Sequence, residues 1–292
     1  MKLPVFMSLA LLATLTTSAA ELPQKPGFLK MLVASRRCKD GQRGPAGGLN
    51  PLIPYIISPR STSILNDKPT LRWNPVPDAT TYKVVVEDEL GNTLWETNAS
   101  GSEVVYGGKP LESGVDYSLI VEADSGKSSE EDKSLEQGFR LLNADDAYQV
   151  RQVADLIEKE KVRDNSAAIM LAHIYIRYDL SAEAIATLEA LAAKKNKTVA
   201  VYSLLGELYD GIGLNRLAES RYLEAVKLAE AAKDKQGLAA AQADLGEVYA
   251  TRRNTESAIH WLKAAQEGYQ VLGNRQQVRE LKKRLEELNR QR

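Results

Sequence analysis

The C-terminal half of the chain carries large and small apolar residues at helical spacing, and the same pattern recurs along it. In the central copy the recurring positions hold Tyr202, Leu205, Gly206, Tyr209, Gly213, Ala218, Tyr222 and Ala225. A shift of 34 residues back finds Leu171, Ala172, Tyr175, Ala184, Leu188 and Leu191, and a shift of 40 forward finds Leu245, Gly246, Tyr249, Ala258, Leu262 and Ala265. Self-similarity at this period predicts a solenoid of helix-turn-helix units, in which each unit covers the apolar face of its neighbour.

The sizes of the recurring residues indicate how the helices of one unit pack. Two antiparallel helices approach closely where small residues face each other, and Gly206, Ala218 and Ala225 provide that space. The order of large residue, Leu, Gly, Tyr, Gly, Ala, aromatic and Ala resembles the tetratricopeptide repeat (TPR) family. The resemblance implies an α-helical solenoid with units near residues 165–198, 199–238 and 239–278. An ordinary helical bundle with alanines at chance spacings is the alternative.

Two further helices are predicted at the ends of the repeats. Asn143 can cap a helix over residues 143–161, whose apolar positions should pack on the first unit. A helix over residues 275–290 carries its leucines on one face and charged residues on the rest, as an end cap of a solenoid requires. A short coiled-coil seam between two chains is the other reading of that helix, although two heptads are few for one.

Residues 51–142 change to a period of two, with β-branched and aromatic runs bounded by Gly, Pro, Asp and Asn. Trp73, Tyr82, Val84 and Val86 should face one core, and the segment before Tyr117 is typical of a tyrosine corner. These elements are similar to those of fibronectin type III domains and imply a small β-sandwich. The fold class is therefore multidomain β plus α, and the layout resembles exported bacterial proteins whose sandwich has no assigned function.

The N-terminus has the pattern of a secretory signal peptide. Lys2 precedes an apolar run that is too short to cross a bilayer and that ends in small residues up to Ala20. We expect cleavage after Ala20 and export to the periplasm or the medium, with no integral membrane segment remaining. An uncleaved anchor, the alternative, would need a longer apolar stretch.

Residues 21–50 are rich in Gly, Pro and basic residues and predict a flexible, locally cationic tail. This tail contains Cys38, the chain's single cysteine. Its basic neighbours would lower the pKa of the thiol and favour a reactive thiolate. The simpler interpretation is an unpaired cysteine in a flexible segment with no special role. A disulfide between Cys38 and another molecule, formed in an oxidising compartment, is a third possibility.

Composition excludes several function classes. The 292 residues contain 38 Lys and Arg against 39 Asp and Glu, so no overall positive field attracts nucleic acid. One cysteine and two histidines on different repeats give no metal-ligand pattern. None of the common nucleophile, zinc-protease, P-loop or dinucleotide motifs occurs, so we expect no catalytic residues, no cofactor and no enzymatic activity.

The expected function is therefore binding. In tetratricopeptide proteins the first helix of each unit lines a groove, and this resemblance places four candidate binding residues there. They are His173, Glu207, Asp210 and Glu247. Family members that grip a peptide carboxylate use Lys, Asn and Arg at such positions, and these residue types are missing from the matching positions here. With no cation expected nearby, the three carboxylates could form a stripe that suits a cationic protein segment, although a merely solvated helix face is the alternative.

Two function classes follow from these expectations. The first is a non-enzymatic interaction scaffold that binds a protein or peptide in the repeat groove. The second is an envelope- or carbohydrate-binding module that uses the sandwich, which a flat exposed row of aromatics such as Trp95 and Tyr106 would favour.

Overall fold

The computed structural model describes residues 50–133, 138–159, 165–194 and 197–290. The predicted signal peptide, most of the predicted tail and Cys38 lie outside these residues, so those expectations remain predictions.

The N-terminal half of the described chain forms two β-sheets. Its strands are β1 (Ile56–Ser58), β2 (Thr62–Ile64), β3 (Thr70–Trp73), β4 (Tyr82–Asp88), β5 (Thr93–Ala99), β6 (Glu103–Val105), β7 (Asp116–Ala123) and β8 (Phe139–Leu141). One sheet has the order β1-β3-β6, and the other has the order β2-β8-β7-β4-β5. Strands β2 and β8 run parallel, and the other neighbours run antiparallel.

The two sheets share one apolar core, because the inward side chains of both are buried together. In strand β4 Tyr82, Val84 and Val86 are buried as expected and Lys83 is exposed, while Val85 between them is buried as well. Trp73 of the smaller sheet packs against Tyr82 with ring centroids 5.5 Å apart. The predicted core residues Trp73, Tyr82, Val84 and Val86 therefore lie in one cluster.

The segment before β7 has the contacts of a tyrosine corner. The Tyr117 hydroxyl accepts a hydrogen bond from the Glu112 N–H at 2.7 Å. Because Tyr117 is itself in the core, this bond ties the connection before β7 to the interior of the sandwich.

The C-terminal half consists of helices. They are α1 (Ala144–Lys159), α2 (Ser166–Arg177), α3 (Ser181–Ala193), α4 (Val199–Gly211), α5 (Asn215–Ala232), α6 (Lys235–Thr251), α7 (Thr255–Val271) and α8 (Arg275–Arg290). Helices α2 and α3 form unit 1, α4 and α5 form unit 2, and α6 and α7 form unit 3. None of the described helices has the length and apolar composition that crossing a membrane requires.

Turn geometry follows the repeat spacing. Each unit bends at a residue with positive φ, at Asp179 (62°), Gly213 (81°) and Arg253 (56°). These residues are separated by 34 and 40 positions, the same shifts that relate the apolar patterns. The longer second shift reflects longer helices, since α5 has 18 residues and α6 has 17, against 13 in each of α3 and α4.

Helix α8 closes the end of the repeats. Its buried leucines, Leu281, Leu285 and Leu288, pack in one cluster with residues of α6 and α7 that include Leu262 and Tyr269. The apolar residues that a coiled-coil seam would need are thus buried within the chain. The dimer-seam reading of this helix is therefore wrong for the fold described here.

Candidate protein-binding groove

The first helices of the three units place the predicted binding positions in one register, and α8 extends it. We call this surface the groove face; it comprises Ser166, Ile169, His173 and Ile176 on α2, Ala200, Ser203, Glu207 and Asp210 on α4, and Ala240, Ala243, Glu247 and Ala250 on α6. Continuing by 37 residues from α6 reaches Gln277, Glu280, Arg284 and Glu287 on α8. The contact of Glu247 with Arg284 shows that these two positions are adjacent in space.

At unit 1 the groove face is largely apolar. His173 lies half-buried between Ile169 and Ile176, which stand one helical turn before and after it on α2. Burial lowers the pKa of His173, so the imidazole is neutral at neutral pH. His173 therefore contributes a neutral, partly apolar surface.

At unit 2 the groove face is acidic. Glu207 is half-buried and Asp210 is buried, with 8% of its surface exposed. The two side chains stand three residues apart and so lie on one side of α4. Asp210 also belongs to the helix end, since its carbonyl accepts a hydrogen bond from the Gly213 N–H at 3.0 Å. Acidic groups therefore reach from the middle of α4 to its C-terminal turn.

At unit 3 the structure contradicts the expectation that no cation faces the acidic residues. The Arg284 guanidinium donates to both carboxylate oxygens of Glu247, with distances of 2.9 and 3.1 Å from Nε and 2.9 Å from Nη2. Hydrogen bonding to Glu247 raises the pKa of Arg284 although burial opposes it. The sequence interpretation treated α8 as a cap and missed that it also supplies a residue at the equivalent groove position. The prediction of a continuous stripe of unneutralised carboxylates through Glu207, Asp210 and Glu247 is therefore wrong at Glu247, because Arg284 balances that charge.

A second set of polar contacts joins successive units and was not predicted. The Tyr209 hydroxyl donates to Glu189 Oε1 at 2.6 Å, and Arg221 donates to the same oxygen at 3.3 Å. One unit further, the Tyr249 hydroxyl donates to Glu219 Oε1 at 2.6 Å, and Arg252 pairs with the same carboxylate.

In both sets the arginine also lies over the tyrosine ring. The Arg221 Cζ is 5.9 Å from the Tyr209 ring centroid, and the Arg252 Cζ is 5.9 Å from that of Tyr249. A glutamate on the second helix of one unit is thus bonded to a tyrosine on the first helix of the next, which fixes the spacing of the helices that carry the groove face.

The aromatic residues of the sandwich do not form an exposed platform. Tyr106 is buried, and Trp95 packs edge-on against it with ring centroids 5.2 Å apart and planes at 67°. A carbohydrate platform needs flat exposed rings, so this pair does not favour the sandwich as a sugar-binding surface. On α7, Trp261 is half-buried against a core cluster and the exposed His260 meets it edge-on.

The described residues contain no cluster of three or more His, Cys, Asp or Glu placed to hold a metal ion. The groove face carries carboxylates, hydroxyls, the His173 imidazole and apolar side chains, and α8 adds Arg284 beside it.

Comparisons with known proteins give remote similarities. No protein-family model matches the chain, and no curated protein matches it. Among solved structures it is similar to BtubC (BKLC) from P. vanneervenii, at 16% identity and a TM-score of 0.37, over 48% of this chain and 73% of that one. It is also similar to a putative kinesin light chain with nearly identical TPR-like repeats from Podosopora anserina, at 19% identity and a TM-score of 0.34, over 49% and 88% of the two chains. MamA is similar at 18% identity and a TM-score of 0.36, over 50% and 90%.

Proposed function

We propose that this chain is a non-enzymatic scaffold that binds a protein or peptide segment along the groove face. The observation that carries the proposal is the register of the repeats. His173, Glu207, Glu247 and Arg284 occupy equivalent positions on α2, α4, α6 and α8, and none of them is fully buried. A row of side chains from successive helices offers an extended segment one contact site for each unit.

The chemistry of the face selects the partner. Unit 1 has apolar side chains around His173, and unit 2 has the half-buried Glu207 with the buried Asp210 one turn further along α4. We propose a partner segment with apolar residues facing α2 and at least one Lys or Arg facing α4. At unit 3 the Arg284 guanidinium pairs with Glu247.

Arg284, on α8 beside the groove face, is not available to bind a peptide C-terminal carboxylate. Arg284 binds Glu247 through Nε and Nη2 and Glu287 through Nη1 at 3.4 Å, so two carboxylates already engage all three of its nitrogens. A free C-terminal carboxylate would have to displace them. We therefore keep the cationic segment as the proposed partner class.

We further propose that the repeats are tetratricopeptide-like and that the sandwich is fibronectin type III-like. The Gly and Ala spacing of the helix pairs supports the first assignment. The three-stranded sheet opposite a larger sheet, together with the hydroxyl bond of Tyr117, supports the second.

We propose, too, that the protein is exported and acts in the periplasm or outside the cell. The support is the sequence of residues 1–20, with Lys2, a short apolar run and Ala20. Mass spectrometry of the mature protein should find Glu21 at the N-terminus. A full-length product retained in the cytoplasm would refute export.

A peptide selection tests the proposed groove. Peptides selected from a random displayed library on the intact protein should contain Lys or Arg next to apolar residues. The double variant Glu207→Gln with Asp210→Asn should bind the best peptide about 10-fold more weakly in low salt, and raising the salt should shrink the difference.

The matched control is the double variant Glu230→Gln with Glu267→Gln, which removes two exposed charges from α5 and α7, the second helices of units 2 and 3, outside the groove face. It should bind as the wild type does. If both double variants bound the peptide equally weakly, the loss of net charge would explain the effect, and the proposal that the peptide binds on the groove face would be contradicted.

A further inference from the structure

A short segment of the sandwich touches both of the first two repeat units. We call residues 60–65, which lead out of β1 and form β2, the strap. At its start Arg60 is 1% exposed, and its Nε donates to the Ile212 carbonyl at 3.0 Å. Ile212 lies in the turn between α4 and α5, so this bond holds unit 2.

The charge of Arg60 is balanced within the sandwich. Its Nη1 donates to Asp132 Oδ2 at 2.9 Å, and the two side chains are 1% and 3% exposed. Burial lowers the pKa of Arg60, and the neighbouring Asp132 opposes that change. A buried guanidinium with a fixed counter-charge has one geometry in which its bonds are satisfied, so its position on the Ile212 carbonyl is well defined.

Two residues further along, the strap holds unit 1. The Ser63 N–H donates to the Asp179 carbonyl at 2.8 Å, and the Thr62 hydroxyl lies 2.8 Å from the same oxygen. The Ser181 N–H donates back to the Thr62 hydroxyl at 2.8 Å. Asp179 lies in the turn between α2 and α3 and Ser181 is the first residue of α3, so a single threonine contacts both the turn and the start of the helix that follows it.

The end of the strap adds contacts to α3 and α1. The Leu65 N–H donates to Glu183 Oε1, and the Leu65 carbonyl accepts a hydrogen bond from Arg151 of α1 at 2.9 Å. The Leu65 side chain is buried with Val150 and Leu180. The strap therefore ends inside a shared apolar cluster and cannot move away from unit 1 without exposing it.

The backbone of the strap explains why adjacent residues reach different units. Ser61 has a positive φ of 48°, which redirects the chain between Arg60 and Thr62. Three residues of chain span at most about 10 Å, so the two repeat turns must lie within a short, fixed reach of each other.

A second tie crosses the same boundary. Arg72 of β3 donates to Glu189 Oε2 of α3 at 2.9 Å, and the other oxygen of Glu189 accepts from Tyr209 of α4 and Arg221 of α5. A sandwich residue thus joins the carboxylate that connects units 1 and 2.

We propose that the strap is a brace that fixes the orientation of unit 1 relative to unit 2 and thereby sets the geometry of the groove face. The corresponding turn of unit 3, around Arg253, has no hydrogen bond to the sandwich among the described residues. Units 1 and 2 form the braced part of the solenoid, and unit 3 packs against α5 and α8. The brace is a property of the free protein and does not depend on the proposed partner.

Amide hydrogen exchange of the intact protein tests the brace through effects that cross from one turn to the other. Arg60→Met removes the bond to unit 2. If the strap is a brace, the Ser63 and Ser181 amides at unit 1 should exchange about 10-fold faster or more. Thr62→Val removes the hydroxyl at unit 1 and should speed exchange of the Gly213 and Leu214 amides at unit 2.

Two control variants make the result decisive. Thr62→Ser keeps the hydroxyl and should exchange as the wild type does, and Arg140→Met breaks an exposed ion pair with Asp116 of the same 2.9 Å length and should have no effect at either turn. If Arg60→Met does not fold, Thr62→Val alone decides. Faster exchange confined to the turn that loses its own bond, or faster exchange in Thr62→Ser as well, would overturn the brace.

Discussion

Single small residues determine how closely the paired helices approach. A Cβ added to Gly206 would lie 2.8 Å from three atoms of the Tyr222 ring, and one added to Gly246 would lie 2.7 Å from the Leu262 side chain. Real Cβ atoms do not make contacts this short, so each glycine is required by the partner that packs over it. The small residues recur in the sequence because these close helix contacts require them.

Gly206→Leu should lower the free energy of unfolding by about 1–3 kcal/mol, because the added side chain enters the contact with Tyr222. The better helix propensity of leucine offsets part of this loss. The matched control is Ala186→Leu, at an exposed position of α3, which should stay within about 0.5 kcal/mol of the wild type. Chemical unfolding followed by circular dichroism measures both, and equal stability of the two variants would contradict the repeat register.

The hydroxyl of Tyr249 provides a pH-dependent test of the contacts between units. Burial, followed by the hydrogen bond to Glu219, raises its pKa to about 12. A raised folded-state pKa means that the stabilisation is complete below the unfolded value of about 10 and is lost as the pH rises through 12.

Tyr249→Phe should therefore be less stable than the wild type by about 1 kcal/mol at pH 8. The difference should shrink as the pH rises from 10 to 12, because the phenol of the unfolded chain loses its proton over that range while the folded protein still holds it. Urea unfolding across that range measures it. A difference that stays constant up to pH 12 would show that the hydroxyl does not carry the stabilisation.

At the scale of elements, α8 has two roles that the sequence did not separate. Its leucines bury the end of the solenoid, while Arg284, which borders the leucine face of the same helix, binds Glu247 of α6. The Arg284 and Glu247 side chains are 27% and 32% exposed, so the pair is partly shielded from solvent. This ion pair changes the expected effect of removing the Glu247 charge.

Glu247→Gln should lower the free energy of unfolding by about 1 kcal/mol, since a partly buried bidentate contact is lost. Without Arg284, neutralising Glu247 would have left the stability unchanged or slightly raised. A double-mutant cycle with Arg284→Met isolates the pair, and Glu267→Gln, at an exposed position of α7, is the control for loss of one carboxylate. Zero coupling between Glu247 and Arg284 would contradict this role of α8.

Periodicity predicted the long elements well and the short ones poorly. The helix pairs and β4 have enough residues for their spacing to be recognised. By contrast β1, β2 and β6 have three residues each, too few to show an alternation. The glutamate–tyrosine contacts could not be predicted for another reason, which is their unequal spacing. In the sequence 20 residues separate Glu189 from Tyr209, but 30 separate Glu219 from Tyr249. The longer helices of the second interval hide their equivalence.

At the scale of the whole described chain, the sandwich and the repeats are joined through buried polar contacts and one apolar cluster. Arg60 bonds a carbonyl 152 residues away, and Thr62 bonds one 117 residues away. Neither residue belongs to a recognisable motif, because each works through a backbone carbonyl whose position depends on the completed fold. The equivalence of His173, Glu207 and Glu247 on successive helices could be predicted from the repeat register, but the charge balance at Glu247 required the packed position of α8.

The central claim is that the groove face holds the partner segment, and site-specific photo-cross-linking tests it most directly. A photoreactive residue in place of Ser203, which is half-buried on the groove face, should cross-link to a peptide with apolar and basic residues, and unlabelled peptide should compete. The same photoreactive residue in place of Ala186, which is exposed on α3 outside the groove face, should give little adduct. Strong adduct from Ser203 alone is the predicted result; equal adduct from both positions, or adduct from Ala186 alone, would contradict the account.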